Sequence, residues 1–411
     1  MSQARSVFSA YGVEIEYMIV DAERLDVRPF SDRLLHTPTG QPVAELVRGE
    51  MGWSNELVCH VLEVKNRQPV ASLETLPAAF HREVTAINAQ LAPLGAQLMP
   101  GGMHPWMDPR TEAQLWTRDQ AAIYRSYDRI FDCHRHGWAN LQSSQLNFSF
   151  AGDDEFARLH AAIRLALPIL PALAASSPWA DGRATGYMDY RLAVYRHHQR
   201  RIPASIGDCV PEPSASPADY RARVMLPMYR ELAECAGQLG GDAGILQQEW
   251  LDVHGVVPRF ERSAMEVRVL DAQECPLADL AVAAACAALV HRLYLRGVDE
   301  PLATAALVGI FDACIRDADQ ALVTDRNYLA CLGFPSNTCP AGELWRWLVG
   351  VLAADGLLAP VWLAPLHFIG QHGPLARRLS AALADEPRRL RDVYRQLCLC
   401  LRDNTLYPGP D

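Results

Sequence analysis

Between Tyr11 and Val20 the chain reads Tyr-Gly-Val-Glu-Ile-Glu-Tyr-Met-Ile-Val, and this alternation constrains the fold more than any other stretch. Successive side chains of a strand point to opposite faces, so Val13, Ile15, Tyr17 and Ile19 share one face while Glu14 and Glu16 share the other. The apolar face requires a second layer to cover it. Two neighbouring carboxylates on the opposite face repel each other, and burying them without a cation is costly. A divalent ion with oxygen ligands removes that cost, and so does exposure on an ordinary solvated sheet. The spacing by itself is compatible with both.

Three further segments repeat the theme. Asn55-Glu56-Leu-Val-Cys-His-Val-Leu-Glu63-Val-Lys65 predicts a strand over about 57–65 with glutamates seven positions apart. An odd separation sends them to opposite faces unless a bulge intervenes or Glu56 curls back from the preceding loop. In the strand predicted from Gln142 to Phe150, Gln145 and Asn147 share a face, with Leu146, Phe148 and Phe150 on the other. Those amides suit a nucleotide, a substrate or a metal-bound water, and they equally suit a polar outer face. A hairpin is predicted over 255–271, its second strand alternating through Met265-Glu266-Val-Arg268-Val-Leu270. Glu266 there is a candidate ligand and Arg268 a candidate phosphate partner, the bland alternative being a surface ion pair.

Elsewhere the pattern is helical over about 73–94, 117–131, 154–175 and 219–239, and almost wholly so from Leu277 onward. Residues 26–47, 182–198 and 202–217 read as irregular connections with short elements. Strands that occur singly, followed by helices, predict an α+β fold with one antiparallel sheet. With 411 residues, 50% of them hydrophobic, and no visible linker, a single composite domain is expected, sheet-bearing over 1–300 and mostly helical over 301–411. The net charge of -10 argues against nucleic acid as the main partner. No signal peptide is visible, the Ala-rich stretch 277–290 reads as a core helix, and eleven scattered cysteines without a CxxC pair suggest reduced thiols. A cytoplasmic protein without membrane association is therefore expected.

Taken in order, these motifs resemble those of the glutamate–cysteine ligases, in the branch shared by plants and many bacteria, with the small carboxylate–amine ligases as relatives. The resemblance spans about Gly12 to Leu295 and includes Ser176-Ser-Pro-Trp-Ala-Asp-Gly-Arg183, Gly186-Tyr187-Met-Asp-Tyr-Arg191 and Arg259-Phe260. It implies a glutamine-synthetase-like antiparallel bowl with helices on the outer face. It also implies ATP-driven formation of a γ-glutamyl amide through an acyl phosphate, from glutamate or a similar carboxylate and cysteine or another amine. Glu14, Glu16, Glu56, Glu63 and Glu266 match the metal-binding positions, for two or three magnesium ions with manganese as a substitute. Arg268 and Glu63 fall in the catalytic machinery, Arg268 on the nucleotide's phosphates, and Arg191, Tyr187, Gln145 and Asn147 around the substrate. Gln145 stands where one branch has a histidine ligand. No Gly-rich phosphate loop is present, and segments after about Arg296 match nothing in the family. Competing readings keep the ATP chemistry with a different amine or carboxylate, make the chain an inactive ligand-binding homologue, or make it a metal-dependent amide hydrolase.

His134/His136 and His197/His198 invite a transition-metal reading, although paired histidines are common at helix ends. The basic run Arg196 to Arg201 suits either a substrate carboxylate or a solvated loop, and Gly101-Gly102 reads as a structural turn. Oligomeric state leaves no mark in the sequence.

Overall fold

The computed structural model describes residues 5–239, 244–297, 302–384 and 386–410. Its frame is one eight-stranded antiparallel sheet: β1 (Tyr11–Asp21), β2 (Glu45–Arg48), β3 (Met51–Asn55), β4 (Val61–Asn66), β5 (Ala96–Met99), β6 (Ser143–Ser149), β7 (Val256–Arg259) and β8 (Ala264–Asp271). The order is β2-β3-β4-β1-β6-β8-β7, with β5 also pairing β1. The long β1 thus lies at the centre, bonded to β4, to β6 along its first half and to β5 along its second.

Both faces of β1 are legible in its residues. Val13, Ile15, Tyr17 and Ile19 have no solvent exposure and join the main core. That core is filled by helices including α1 (Leu76–Leu91), α2 (Ala121–Phe131), α3 (Gly152–Ala166) and, after α4 (Tyr190–His198) and α5 (Leu226–Leu239), the long α6 (Pro276–Arg296). On the other face Glu14 and Glu16 are followed by Met18 and Val20, which pack with Leu375, Leu379, Tyr394 and Leu397. One strand face therefore changes from polar to apolar halfway, and helices at 375–383 and 390–403 cover the apolar half. The uncovered half is the site.

Helix α6 is the one described helix long and apolar enough to cross a membrane, yet 83% of its apolar window is buried inside the fold. Its first turn is tied to distant chain: Leu277 N donates to Asn404 Oδ1 at 2.9 Å. Just before it, the fully buried Glu274 accepts from Arg378 Nη1 at 2.6 Å and from Tyr407 N at 3.2 Å. The boundary expected at residue 300 lies outside the described residues.

Several expectations are corrected. The irregular stretch after residue 26 ends in a hairpin, β2–β3, closed by a two-residue turn with Gly49 at φ 67°. The strand expected at 57–65 starts only at Val61. A helix, α4, replaces the loop expected before His198, and Asp189 caps it by accepting from Leu192 N at 2.8 Å.

Candidate active site

Register decides which acidic residues meet. Across β1 and β4, Glu14 faces Lys65 and Glu16 faces Glu63; across β1 and β6, Glu14 faces Gln145; across β6 and β8, Asn147 faces Glu266. Directly opposed residues of an antiparallel pair share a face, so all of these project toward the uncovered side. Glu56 joins from the β3–β4 loop and curls back, the second of the two geometries its odd spacing allowed. One carboxylate oxygen from each of Glu16, Glu56 and Glu63 can be chosen so that all lie within 4.8 Å of one another.

Apart from Asn147, these residues line a cavity of about 300 Å³ together with Tyr124, Tyr127, Trp138 and Trp250. Arg191, Arg259, Arg262, Glu266 and Arg268 line it too. Glu266 is 1% exposed, and its Oε1 accepts from Arg268 Nε at 2.6 Å with Arg259 Nη1 at 3.7 Å. Burial works against its ionisation, but the two guanidinium groups outweigh that and hold its carboxyl below the usual range. Glu63 behaves alike: despite burial, Lys65 at 3.1 Å and Ser54 Oγ at 2.6 Å hold it down at about 2.

Glu16 is different. It accepts from Ser143 N at 2.7 Å and Gln145 Nε2 at 3.1 Å, yet neither it nor Glu56 forms an ion pair among the described residues. Burial, then the charge of Glu63, pushes Glu16 up to about 7. Burial and the surrounding carboxylates push Glu56 and Glu14 well above the ordinary glutamate range. A trio of oxygen donors with one cation among them, Glu16 and Glu63 on strands and Glu56 on the adjoining loop, fits a divalent cation of the magnesium type.

A pH dependence follows. A buried carboxyl with a raised pKa lets the folded protein keep a proton that the unfolded chain has released, so stability falls as pH rises from about 4.5 through about 7. Metal-free protein should thus melt earlier at pH 8 than at pH 5, and magnesium should raise the melting temperature more at pH 8. Thermal denaturation with magnesium or with a chelator tests this; a metal-induced shift equal at both pH values would remove the trio as the metal site.

Arg191 lies on the cavity wall but is held from behind. At 2% exposure its Nε donates to Asp271 Oδ1, and its terminal nitrogens approach the Arg268 carbonyl at 3.4 and 3.3 Å. Asp271 also accepts from Ser176 N at 2.9 Å and Ser177 Oγ at 2.7 Å. The Gly101-Gly102 turn passes so closely that a Cβ on Gly102 would stand 2.6 Å from the Asp271 carboxylate. Gly102→Ala should therefore destabilise the fold by about 1–3 kcal/mol through overpacking. An unchanged denaturation midpoint would contradict this close approach.

The remaining sequence candidates divide. Gln145 lies in the cavity on Glu16. Asn147 keeps the expected face but lines an adjoining cavity beyond Glu14 and Arg262, where its buried Oδ1 has no partner. Tyr187 is not in the carboxylate cleft: the turn at Gly186, φ 83°, leaves it 39% exposed beside Tyr190 and His197 in a separate cavity behind Trp138. The histidine pairs and the basic run are absorbed structurally only in part: His134 lies against Asp128 at 3.2 Å with Asp132 close by, a group that could hold a metal, and His197 and Arg200 are exposed. His136 Nε2 meets Asp181 at 2.9 Å, His198 packs between Trp138 and Tyr195, Arg196 pairs with Asp312, and Arg201 bonds the Ile130 carbonyl. Lys65, Arg259, Arg262 and Asp271 were given no role from sequence. Lys65 had a signal, lying two residues after Glu63 on the same strand face.

A large antiparallel sheet that gathers glutamates and arginines on one face, with helices behind, is the fold of the glutamate–cysteine ligase class of ATP-dependent ligases. Within it, this chain belongs to the glutamate–cysteine ligase family 2, whose sequence model matches residues 10–307. An uncharacterized protein of Archaeoglobus fulgidus is 33% identical over 311 residues, covering 76% of this chain and 80% of that protein. A Pseudomonas paraeruginosa protein carrying the name "Putative glutamate--cysteine ligase 2" is 28% identical over 314 residues, 75% of this chain and 71% of that protein. In fold, the chain is similar to a glutamate–cysteine ligase of Francisella tularensis solved in complex with AMP. That match has a TM-score of 0.64 at 13% identity and covers 97% of this chain and 90% of that one.

Proposed function

We propose that this protein is an ATP- and magnesium-dependent ligase that joins the γ-carboxylate of glutamate to an amine, with cysteine as the first acceptor to test. Family membership supports the ligase class. What carries the mechanism is the trio Glu16, Glu56 and Glu63, of which only Glu63 has a cationic partner among the described residues, beside the buried Glu266–Arg268 pair, all in one cleft.

A carboxylate is a poor electrophile and must be activated before an amine attacks it. Transfer of the ATP γ-phosphoryl group to the γ-carboxylate gives a mixed anhydride; the amine then displaces inorganic phosphate. Bound magnesium would supply charge neutralisation on the phosphates, and Glu16, Glu56 and Glu63, with Glu14 and Glu266 at the margin, are the residues that would hold it. Arg268, fixed by Glu266, and Arg259 present guanidinium groups to phosphate oxygens. Arg191 presents its guanidinium edge to the glutamate carboxylate from the wall, and Gln145 orients Glu16. The wall of Tyr124, Tyr127, Trp138 and Trp250 limits water, which would otherwise hydrolyse the anhydride.

The direct test is ADP release with glutamate and a panel of amines, with the product identified by mass. ADP together with a γ-glutamyl amide is expected. Amide cleavage without ATP would favour the hydrolase alternative, and no ADP with any carboxylate would overturn the ligase reading.

A further inference from the structure

We propose that Lys65 is a built-in cation of the carboxylate cluster, standing where a second divalent ion would otherwise bridge Glu14 and Glu63. This rests on the reading that the cleft binds magnesium, and it assigns how that charge is divided.

The register of β1 against β4 places four side chains at the corners of one patch: Glu14 opposite Lys65 and Glu16 opposite Glu63. Three corners are carboxylates and the fourth is an ammonium group. Lys65 Nζ lies 3.1 Å from Glu63 Oε1 and 3.2 Å from Glu45 Oε2, with its side chain 16% exposed. Glu45 is itself anchored by Arg67 at 3.3 Å, so the Lys65 ammonium is held from outside the cluster as well as by Glu63.

The positive charge is distributed unevenly across this patch. On the Glu14 side, Lys65 is joined by Arg262 Nη1, 3.6 Å from Glu14 Oε1. On the side of Glu16 and Glu56 there is no ion pair among the described residues, although both approach Glu63 closely. A doubly charged ion between Glu14 and Glu63 would sit within a few ångströms of an ammonium, a repulsion that the half-buried setting does not screen. The same ion among Glu16, Glu56 and Glu63 has the ammonium on one of its three ligands and, among the described residues, no cation paired with the other two, whereas between Glu14 and Glu63 both ligands carry one. The cluster is therefore divided into a metal side and a lysine side, with Glu63 shared between them. Lys65 also lines both the main cavity and the adjoining one beyond Glu14, so its charge faces whatever crosses from one to the other.

Manganese binding to the whole protein, measured by calorimetry without nucleotide or substrate, tests this division. Lys65→Met should bind one more manganese ion per chain than the wild type, while Lys65→Arg, which keeps the charge, should bind the wild-type number. Equal counts in wild type and Lys65→Met would overturn the proposal. Should the methionine variant fail to fold, anomalous diffraction from manganese-soaked wild-type crystals decides the matter. Density at Glu16, Glu56 and Glu63, with Lys65 still on Glu63, supports it; density between Glu14 and Glu63 overturns it. Manganese binding in this pattern without ADP formation would remove the ligase reading and leave Lys65's role standing. No manganese binding at all would remove Lys65's role together with the metal site.

Discussion

Glu16→Gln is expected to cut ATP turnover on the order of 10³-fold while making the metal-free protein more stable at neutral pH. The two effects have one cause. Glu16 is 7% exposed, has no cationic partner and lies against Glu56 and Glu63, which is why its carboxyl is pushed up to about 7. Glutamine keeps the shape and can still accept from Ser143 N, while its amide NH2 meets a Gln145 side chain that can turn its oxygen inward. Removing the buried charge should then add on the order of 1–3 kcal/mol near pH 8 in the absence of metal. A residue conserving only the fold would show the opposite: lower stability and nearly intact turnover. Melting curves and ADP release on the same preparation separate the two, and a variant that is both less stable and active would remove Glu16 from the site.

The second large effect is structural. Asp271→Ala should destabilise the protein by about 3–5 kcal/mol, because it leaves the Arg191 guanidinium buried without its counter-charge. Arg191 is 2% and Asp271 0% exposed, and the lost carboxylate also strands Ser176 N and Ser177 Oγ. Asp271→Asn keeps acceptors for the serines and should lose less. Chemical denaturation of the two variants checks the order, and alanine and asparagine variants of wild-type stability would show that the pair carries no weight.

How much of this the sequence disclosed depends on whether a residue's role is local. β1 was legible because its apolar positions alternate without a break, and the shared faces of Gln145 with Asn147 and of Glu266 with Arg268 follow from period two alone. β3 was not, because Met51-Gly-Trp-Ser-Asn is buried on both faces and shows no alternation. Gly52, which argues against a strand, is there because the aliphatic stem of Arg67 crosses it, leaving a Cβ 3.0 Å from Arg67 Cγ. Glu56 could be placed only once the β3–β4 connection was seen to turn it back. The position of Tyr187 was not legible for the converse reason: the loop that carries it turns at Gly186 and sets it in the adjoining cavity instead of the carboxylate cleft. Arg191 illustrates a limit of motif reading, since the buried Asp271 that holds it lies 80 residues away.

The ties between Glu274 and the later part of the chain bear on how this protein is made. The strand carrying Glu266 and Arg268 leaves the ribosome well before the partners that satisfy Glu274, which are separated from it by 104 and 133 residues. At about 5–20 residues per second, several seconds pass in which the nascent sheet has its donors but cannot close behind them. A chain interrupted in that interval would expose Met18 and Val20, apolar surface of the kind that makes incomplete chains aggregate and that chaperones cover. Synthesis thus couples completion of the cleft to translation of helices that line no part of it.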